Sequence, residues 1–271
     1  MKQASRSIRI LTVLAIAGAQ VAMAWGPEGH RVVGALALDH MQPEPRTALE
    51  QVVGTTDQEA LTAWCNWPDE YRETEMGKWS TPLHYINMVP GESHYQRERD
   101  CAEGLCVTEA IRTYAAQLAD VTLPDRSRRE AFGFVCHFVG DLSQPLHAGF
   151  GEDRGGNNFK INYNGAESDL HTFWDHDLIE EHTDSWSELY DMVRKLPYEA
   201  DAQPWSPDEI VEWTNRSHAI AAGCVYPDQP DITEEFAVKT WEHIQKQLLV
   251  GGGNLARVLD AALAVTPQRS P

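Results

Sequence analysis

The sequence predicts a mostly helical, all-α fold that carries one small β-hairpin. Three observations support that class. Apolar residues recur at helical spacing in six stretches. One of them, residues 128–142 (RREAFGFVCHFVGDL), is apolar nearly all round, the mark of a helix buried on every side. The main β signal is Asn158-Phe-Lys-Ile-Asn-Tyr-Asn164-Gly165, which alternates and ends in Asn-Gly, a preferred pair for a two-residue hairpin turn.

Taken in order, the chain opens with Lys2, Arg6 and Arg9, an apolar run from Ile10, and Ala22-Met-Ala24. This is the pattern of a cleaved signal peptide, residues 1–24, whose apolar run is too short to span a bilayer. It predicts a secreted or periplasmic protein whose mature chain begins at Trp25. Residues 25–271 read as a single domain, with no repeat or low-complexity segment. Helices are expected over 29–41, 109–121 (ending before Pro124) and 128–142, where Pro145 must end or kink the helix. After the hairpin, helices are expected over 208–222 and 233–249. A separate last helix, 254–264, should follow the three glycines 251–253. The Pro-rich stretches 203–207 and 227–230 are short enough to be loops within one domain.

The whole chain has 22 basic and 41 acidic residues, a formal charge of −19. Without residues 1–24, which hold three basic and no acidic residues, the charge is −22. So acidic a surface repels nucleic acid and anionic membranes at long range, so a nucleic-acid partner needs local positive charge, which bound divalent cations can supply. Of the five cysteines, Cys101 and Cys106 flank a short loop and are the expected pair. Five is odd, so at least one thiol stays free or pairs between chains. Cys136 is read as a small buried residue rather than a ligand or nucleophile.

The histidines carry the functional signal. His137 and Asp141 are i and i+4 on the buried helix, and the break at Pro145 can swing His147 towards the same space. His171 and Asp175 repeat the spacing. A lone His–Asp pair is more often a structural hydrogen bond, but several buried ionisable groups together are costly without a cation. Imidazole and carboxylate without cysteine favour zinc or another borderline divalent metal. Trp67-Pro-Asp69 sets a carboxylate beside aromatics, and His84 sits in an apolar segment expected to be strand-like or extended. His30 lies five residues after Trp25, whose freed amine and own carbonyl could chelate. His40, His94, His176, His182, His218 and His243 fit no ligand position and read as surface or packing residues.

These motifs together resemble the zinc-dependent single-strand-specific nuclease and 3′-nucleotidase family of S1/P1 type, in a bacterial member. That family belongs to the same superfamily as the zinc phospholipases C. The resemblance implies three Zn2+ ions. One would be held by Asp69, His84, His137 and Asp141. A second would take the amine and carbonyl of Trp25, His30 and the other oxygen of Asp141. The third would take His147, His171 and Asp175 with positions left open. It further implies hydrolysis of single-stranded DNA and RNA, and of nucleotides, to 5′-phosphate products by a zinc-activated water. Asp69 would orient or deprotonate that water, Asn157 would contact the phosphate side, and Tyr85 would stack on a base. Two positions depart from the family pattern. Arg72 stands where lysine is common, and Asn87 where fungal members carry aspartate beside the base. A monomer with no stable protein partner and no membrane contact is expected. Two rival readings compete with it: a phospholipase C, whose members usually carry Glu at the position of Asp175, and a zinc-storage protein, which would favour His-rich loops over dispersed buried ligands.

Overall fold

The computed structural model describes residues 25–199, 201 and 203–264. The predicted signal peptide lies outside the described residues. The helices are α1 (Pro27–His40), α2 (Pro43–Val53), α3 (Gln58–Ala63), α4 (Trp67–Arg72), α5 (Arg97–Asp100), α6 (Val107–Ala119) and α7 (Asp125–Ser143), followed beyond the hairpin by α8 (Leu170–Thr172), α9 (Leu178–His182), α10 (Trp186–Val193), α11 (Glu209–Ile220) and α12 (Glu234–Leu263). Strands β1 (Lys160–Tyr163) and β2 (Ala166–Asp169) form the hairpin between α7 and α8. The fold is thus mostly helical with one two-stranded sheet, as the sequence predicts.

The near-continuous apolar run in α7 places it at the centre. Every residue from Ala131 to Ser143 is buried, and α7 packs against α6, α1, α2 and α12. Pro145 cannot continue the helix, so α7 ends at Ser143 and a single 3-10 turn, Pro145–Ala148, follows. The hairpin turn has Asn164 at φ 50° and Gly165 at φ 80°, the left-handed pair that a type I′ turn demands. The register pairs Lys160 with Asp169 and Tyr163 with Ala166, and β2 runs directly into α8.

Three expectations are corrected. The last two predicted helices are one: α12 runs unbroken through Gly251, Gly252 and Gly253. These glycines act as a notch, because a Cβ at Gly252 would meet Leu36 of α1 and one at Gly251 would meet Ser143 of α7. The helical propensity they lack is outweighed by close packing against two helices. The segment around His84 is strand-like only in part: Lys78–His84 forms a 3-10 helix, and the extended backbone begins at Tyr85. Finally, the expected Cys101–Cys106 bridge is present, but Cys136 is also bonded, to Cys65, leaving Cys224 as the free thiol. A separation of 71 residues hides that pair from local sequence reading.

Candidate metal centre and active site

The buried face of α7 delivers His137 and Asp141, one helical turn apart, into the interior. Four donor atoms from three elements surround one point there. The His84 Nδ1 lies 2.9 Å from His137 Nε2, 3.5 Å from Asp69 Oδ1 and 3.2 Å from Asp141 Oδ2. The His137 Nε2 lies 3.3 Å from Asp69 Oδ1 and 3.4 Å from Asp141 Oδ2. A tetrahedral ion with arms of about 2.0 Å requires edges of about 3.3 Å, and the donor set is already spaced that way. All four residues are buried.

Asp141 faces two ways. Its Oδ2 belongs to this group, and its Oδ1 lies 3.5 Å from His30 Nε2. Neither oxygen has a hydrogen-bond partner, and neither has either ring nitrogen of His30. His30 stacks on His137 with centroids 3.8 Å apart. It reaches that position because α7 carries glycine at 140, where a Cβ would sit 2.7 Å from His30 Nδ1. Buried groups left unpaired in this way are costly, and a cation at the common point satisfies them.

A second convergence lies at the far side of the Pro145 turn. The His147 and His171 rings each donate Nδ1–H to a carbonyl, of His84 (2.6 Å) and Gly155 (2.6 Å) respectively. Each neutral ring therefore presents its Nε2 lone pair, and the two Nε2 atoms face each other at 3.2 Å. Two lone pairs at that distance repel unless a cation sits between them. Asp175 Oδ2 completes the trio, 3.0 Å from His171 Nε2. A π-helical turn over Phe173–Asp177 aims it, and such turns are frequent at functional sites.

Electrostatics follow burial. Desolvation holds the imidazoles of His30, His84 and His147 well below the ordinary histidine range. For His137 and His171 burial is the largest single influence and acts in the same direction, but it is outweighed by Asp141, Asp69 and the Cys65 carbonyl together at His137, and by Asp175, the Gly155 carbonyl and Asp169 together at His171, so both are raised. Burial pushes the Asp141 carboxyl well above the usual carboxylate range. Asp69 is held low: burial opposes this, but His137, Arg72 and His84 outweigh it.

A cavity of about 170 Å³ opens beside the second cluster. His147 and His171 form part of its wall, with Arg72, Tyr85, Asn87 and Asn157. Backbone alternation explains the last two aromatic and amide positions on that strip: His84, Ile86 and Met88 are buried while Tyr85 and Asn87 are exposed. Ile86 and Met88 bond to the carbonyls of His147 and Gly149, tying the strip to the turn that carries His147. Arg72 is buried, with Nη2 3.0 Å from Asp69 Oδ1. Asn157 donates to the Arg154 carbonyl at 2.7 Å. Trp25 is buried beside the first turn of α1, its indole donating to Ser143 Oγ at 2.9 Å, and the Gly26 amide donates to the Asp175 carbonyl at 3.2 Å.

Two residues of the site escaped sequence reading. Gln144 is buried and donates to Asp175 Oδ1 at 2.7 Å, which leaves Oδ2 for the cluster. Its place directly before Pro145 was the available signal. Arg154 lines the cavity with φ 57° and ψ 46°, a left-handed conformation that a Gly-Gly pair after it does not by itself reveal. Of the remaining histidines, His218 is buried and bonded to the Ala148 and Glu92 carbonyls, and His182 stacks on Trp241. Both are packing roles.

A mostly helical fold with three buried His/Asp clusters, each able to hold a metal ion, beside a cavity lined by Arg72 and Arg154, has the make-up of a metal-binding protein that handles anions. Comparison with known proteins narrows this. The S1/P1 nuclease family model matches residues 25–264. Nuclease P1 of Penicillium citrinum is 30% identical over 86% of this chain and 95% of its own. Endonuclease 3 of Arabidopsis thaliana is 29% identical over 94% and 92%, and nuclease S1 of Aspergillus oryzae 26% identical over 93% and 97%. The chain belongs to the S1/P1 nuclease family, whose members are hydrolytic, metal-dependent nucleases that cleave phosphodiester bonds. These relatives are fungal and plant proteins, so the expected bacterial origin is not borne out.

Proposed function

We propose that this chain is an exported zinc-dependent endonuclease that cleaves single-stranded DNA and RNA to 5′-phosphate ends, removes 3′-phosphates from nucleotides, and acts as a monomer. The observation that carries this reading is the spacing of the four donors of Asp69, His84, His137 and Asp141, close to the edges of a tetrahedron that zinc would fill. Three zinc ions would be held by these residues: one by Asp69, His84, His137 and Asp141, a second by His30 and Asp141 together with the main chain of Trp25, and a third by His147, His171 and Asp175. Bound zinc would supply Lewis acidity towards phosphate oxygens and water activation near neutral pH.

The protein's own groups then have separable tasks. Asp69, paired with Arg72, holds a carboxylate able to orient or accept a proton from the attacking water. Arg72 and Asn157 place donors on the cavity wall where a phosphate would lie. Tyr85 offers an aromatic face to an unpaired base, which a base inside a duplex cannot reach. The cavity arginines also answer the charge problem posed by the acidic chain, because they concentrate positive charge where the backbone of a substrate must pass. Among the described residues no helix is long and apolar enough to cross a membrane.

Metal analysis by mass spectrometry together with hydrolysis of single-stranded DNA, duplex DNA and phosphatidylcholine tests the reading. Three zincs per chain and preferential cleavage of the single strand are expected. A protein that hydrolyses only the lipid, or cleaves DNA after complete metal removal, contradicts it.

A further inference from the structure

We propose that the Cys65–Cys136 disulfide is a positioning clamp for the four-donor cage; the proposal rests on the reading of Asp69, His84, His137 and Asp141 as metal ligands. Both half-cystines are fully buried and adjoin the donors. Cys136 directly precedes His137 on α7. Cys65 lies in the turn between α3 and α4, four residues before Asp69. The carbonyl of Cys65 accepts the His137 Nδ1–H at 2.7 Å. That bond selects the tautomer of His137 and aims its Nε2 at the cage.

Cys65 is therefore joined to the same part of α7 twice, once by its sulfur to Cys136 and once by its oxygen to the next residue. The two links act together. The covalent one fixes the distance between the α3–α4 turn and α7, and the hydrogen bond converts that distance into a ring orientation. The same turn leads into α4, which carries Asp69, so the bridge also sets the separation of Asp69 and His137, whose donor atoms are 3.3 Å apart. α1 is shaped to admit the bridge: a Cβ on Gly34 would sit 2.5 Å from Cys65 Sγ and 3.4 Å from Cys136 Sγ. A bridge of this separation also stabilises a fold in general. What distinguishes a clamp is that its loss weakens one metal site selectively, because partners that orient a ligating histidine are worth about 10–100-fold in metal affinity.

The test uses the full mature chain as Cys65→Ala/Cys136→Ala and as Cys65→Ala/Cys136→Val, the second refilling more of the buried volume. Cys101→Ser/Cys106→Ser is the control that removes the other disulfide. Zinc content, zinc affinity by chelator competition, helicity by circular dichroism and the visible absorption of the cobalt-substituted protein are read on each. In the folded double variants one zinc equivalent is expected to bind about 10–100-fold more weakly, with an altered cobalt spectrum, while the control matches the parent. Unchanged affinity and spectrum overturn the proposal, and so does equal weakening at every site or lost helicity in both double variants, which would make the bridge a staple of the fold alone. A parent protein that binds no zinc would instead sink the metal reading on which the proposal stands.

Discussion

Around Asp69, His84, His137 and Asp141 the donors are buried, come from α4, α7 and a 3-10 turn, and enclose a point from four sides. Around His147, His171 and Asp175 there are three donors, and two of their residues form the wall of a cavity. Closed four-donor sites hold a metal, and sites with a donor missing leave a position for water or substrate. Asp141 stands between the two groups: its Oδ2 lies 3.2 Å from His84 Nδ1, and its Oδ1 lies 3.5 Å from His30 Nε2 and 3.7 Å from His147 Nδ1. The contrast teaches that a single fold can shape a closed donor set and an open one a few residues apart, by ending one helix at Pro145 between them.

The sharpest way to break this comparison is at its shared member. Asp141→Asn keeps the shape but removes the charge that the proposed four-donor cage and the proposed His30 position would share. It is expected to lower zinc content by more than one equivalent and turnover by about 10³-fold, roughly 4 kcal/mol of barrier. Retention of all three zincs in the folded variant would show that Asp141 bridges nothing.

Acid should separate the two ends more gently. A metal needs neutral imidazole, so a proton competes with it. Carboxylates raise both His171 of the open cluster and His137 of the closed one despite burial, so access and donor number decide the order. His147 and His171 line the cavity and only three donors meet there, so the open cluster is expected to give up its ion first as pH falls. Zinc release followed with a colorimetric chelator from pH 7 to pH 4 is expected in two phases, the first of about one equivalent with turnover falling roughly 10²-fold. A single cooperative release, or loss as pH rises, would remove the distinction between open and closed ends.

How much of this was legible before folding depends on the range of the interactions. His137 with Asp141, and His171 with Asp175, were readable because helical spacing alone puts each pair on one face. The β-hairpin was readable from Asn164-Gly165, whose backbone demands are local. The Cys65–Cys136 bridge was not, since it joins segments 71 residues apart. Nor was the continuity of α12: three glycines signal a break, and only the close approach of Leu36 and Ser143 reverses that. Gln144 escaped for a related reason, because its partner Asp175 is brought near only by the π turn. The family resemblance ordered the donors along the chain, but the spacing of their atoms is a property of the packed α7.

The smallest expected effect lies on the cavity wall and should spare both ends of the metal cluster. Tyr85 is 39% exposed and stands on the strip after His84 with its backbone fixed: Ile86 bonds to His147, and the Tyr85 carbonyl accepts the Val107 amide at 3.1 Å. Its backbone is thus fixed on the cavity wall, which would lower the ordering cost if the ring stacks on a base. Stacking on an aromatic is worth about 1–3 kcal/mol per base. Tyr85→Ala is expected to raise KM for single-stranded oligonucleotides by roughly tenfold and to leave kcat within about threefold, the pattern of a contact made equally in ground and transition states. Tyr85→Phe should restore KM, because the ring rather than the hydroxyl makes the contact. Zinc content should remain that of the parent in both. An unchanged KM in Tyr85→Ala would place the base elsewhere in the cavity, and a lost zinc would mean that the strip positions His84 rather than the substrate.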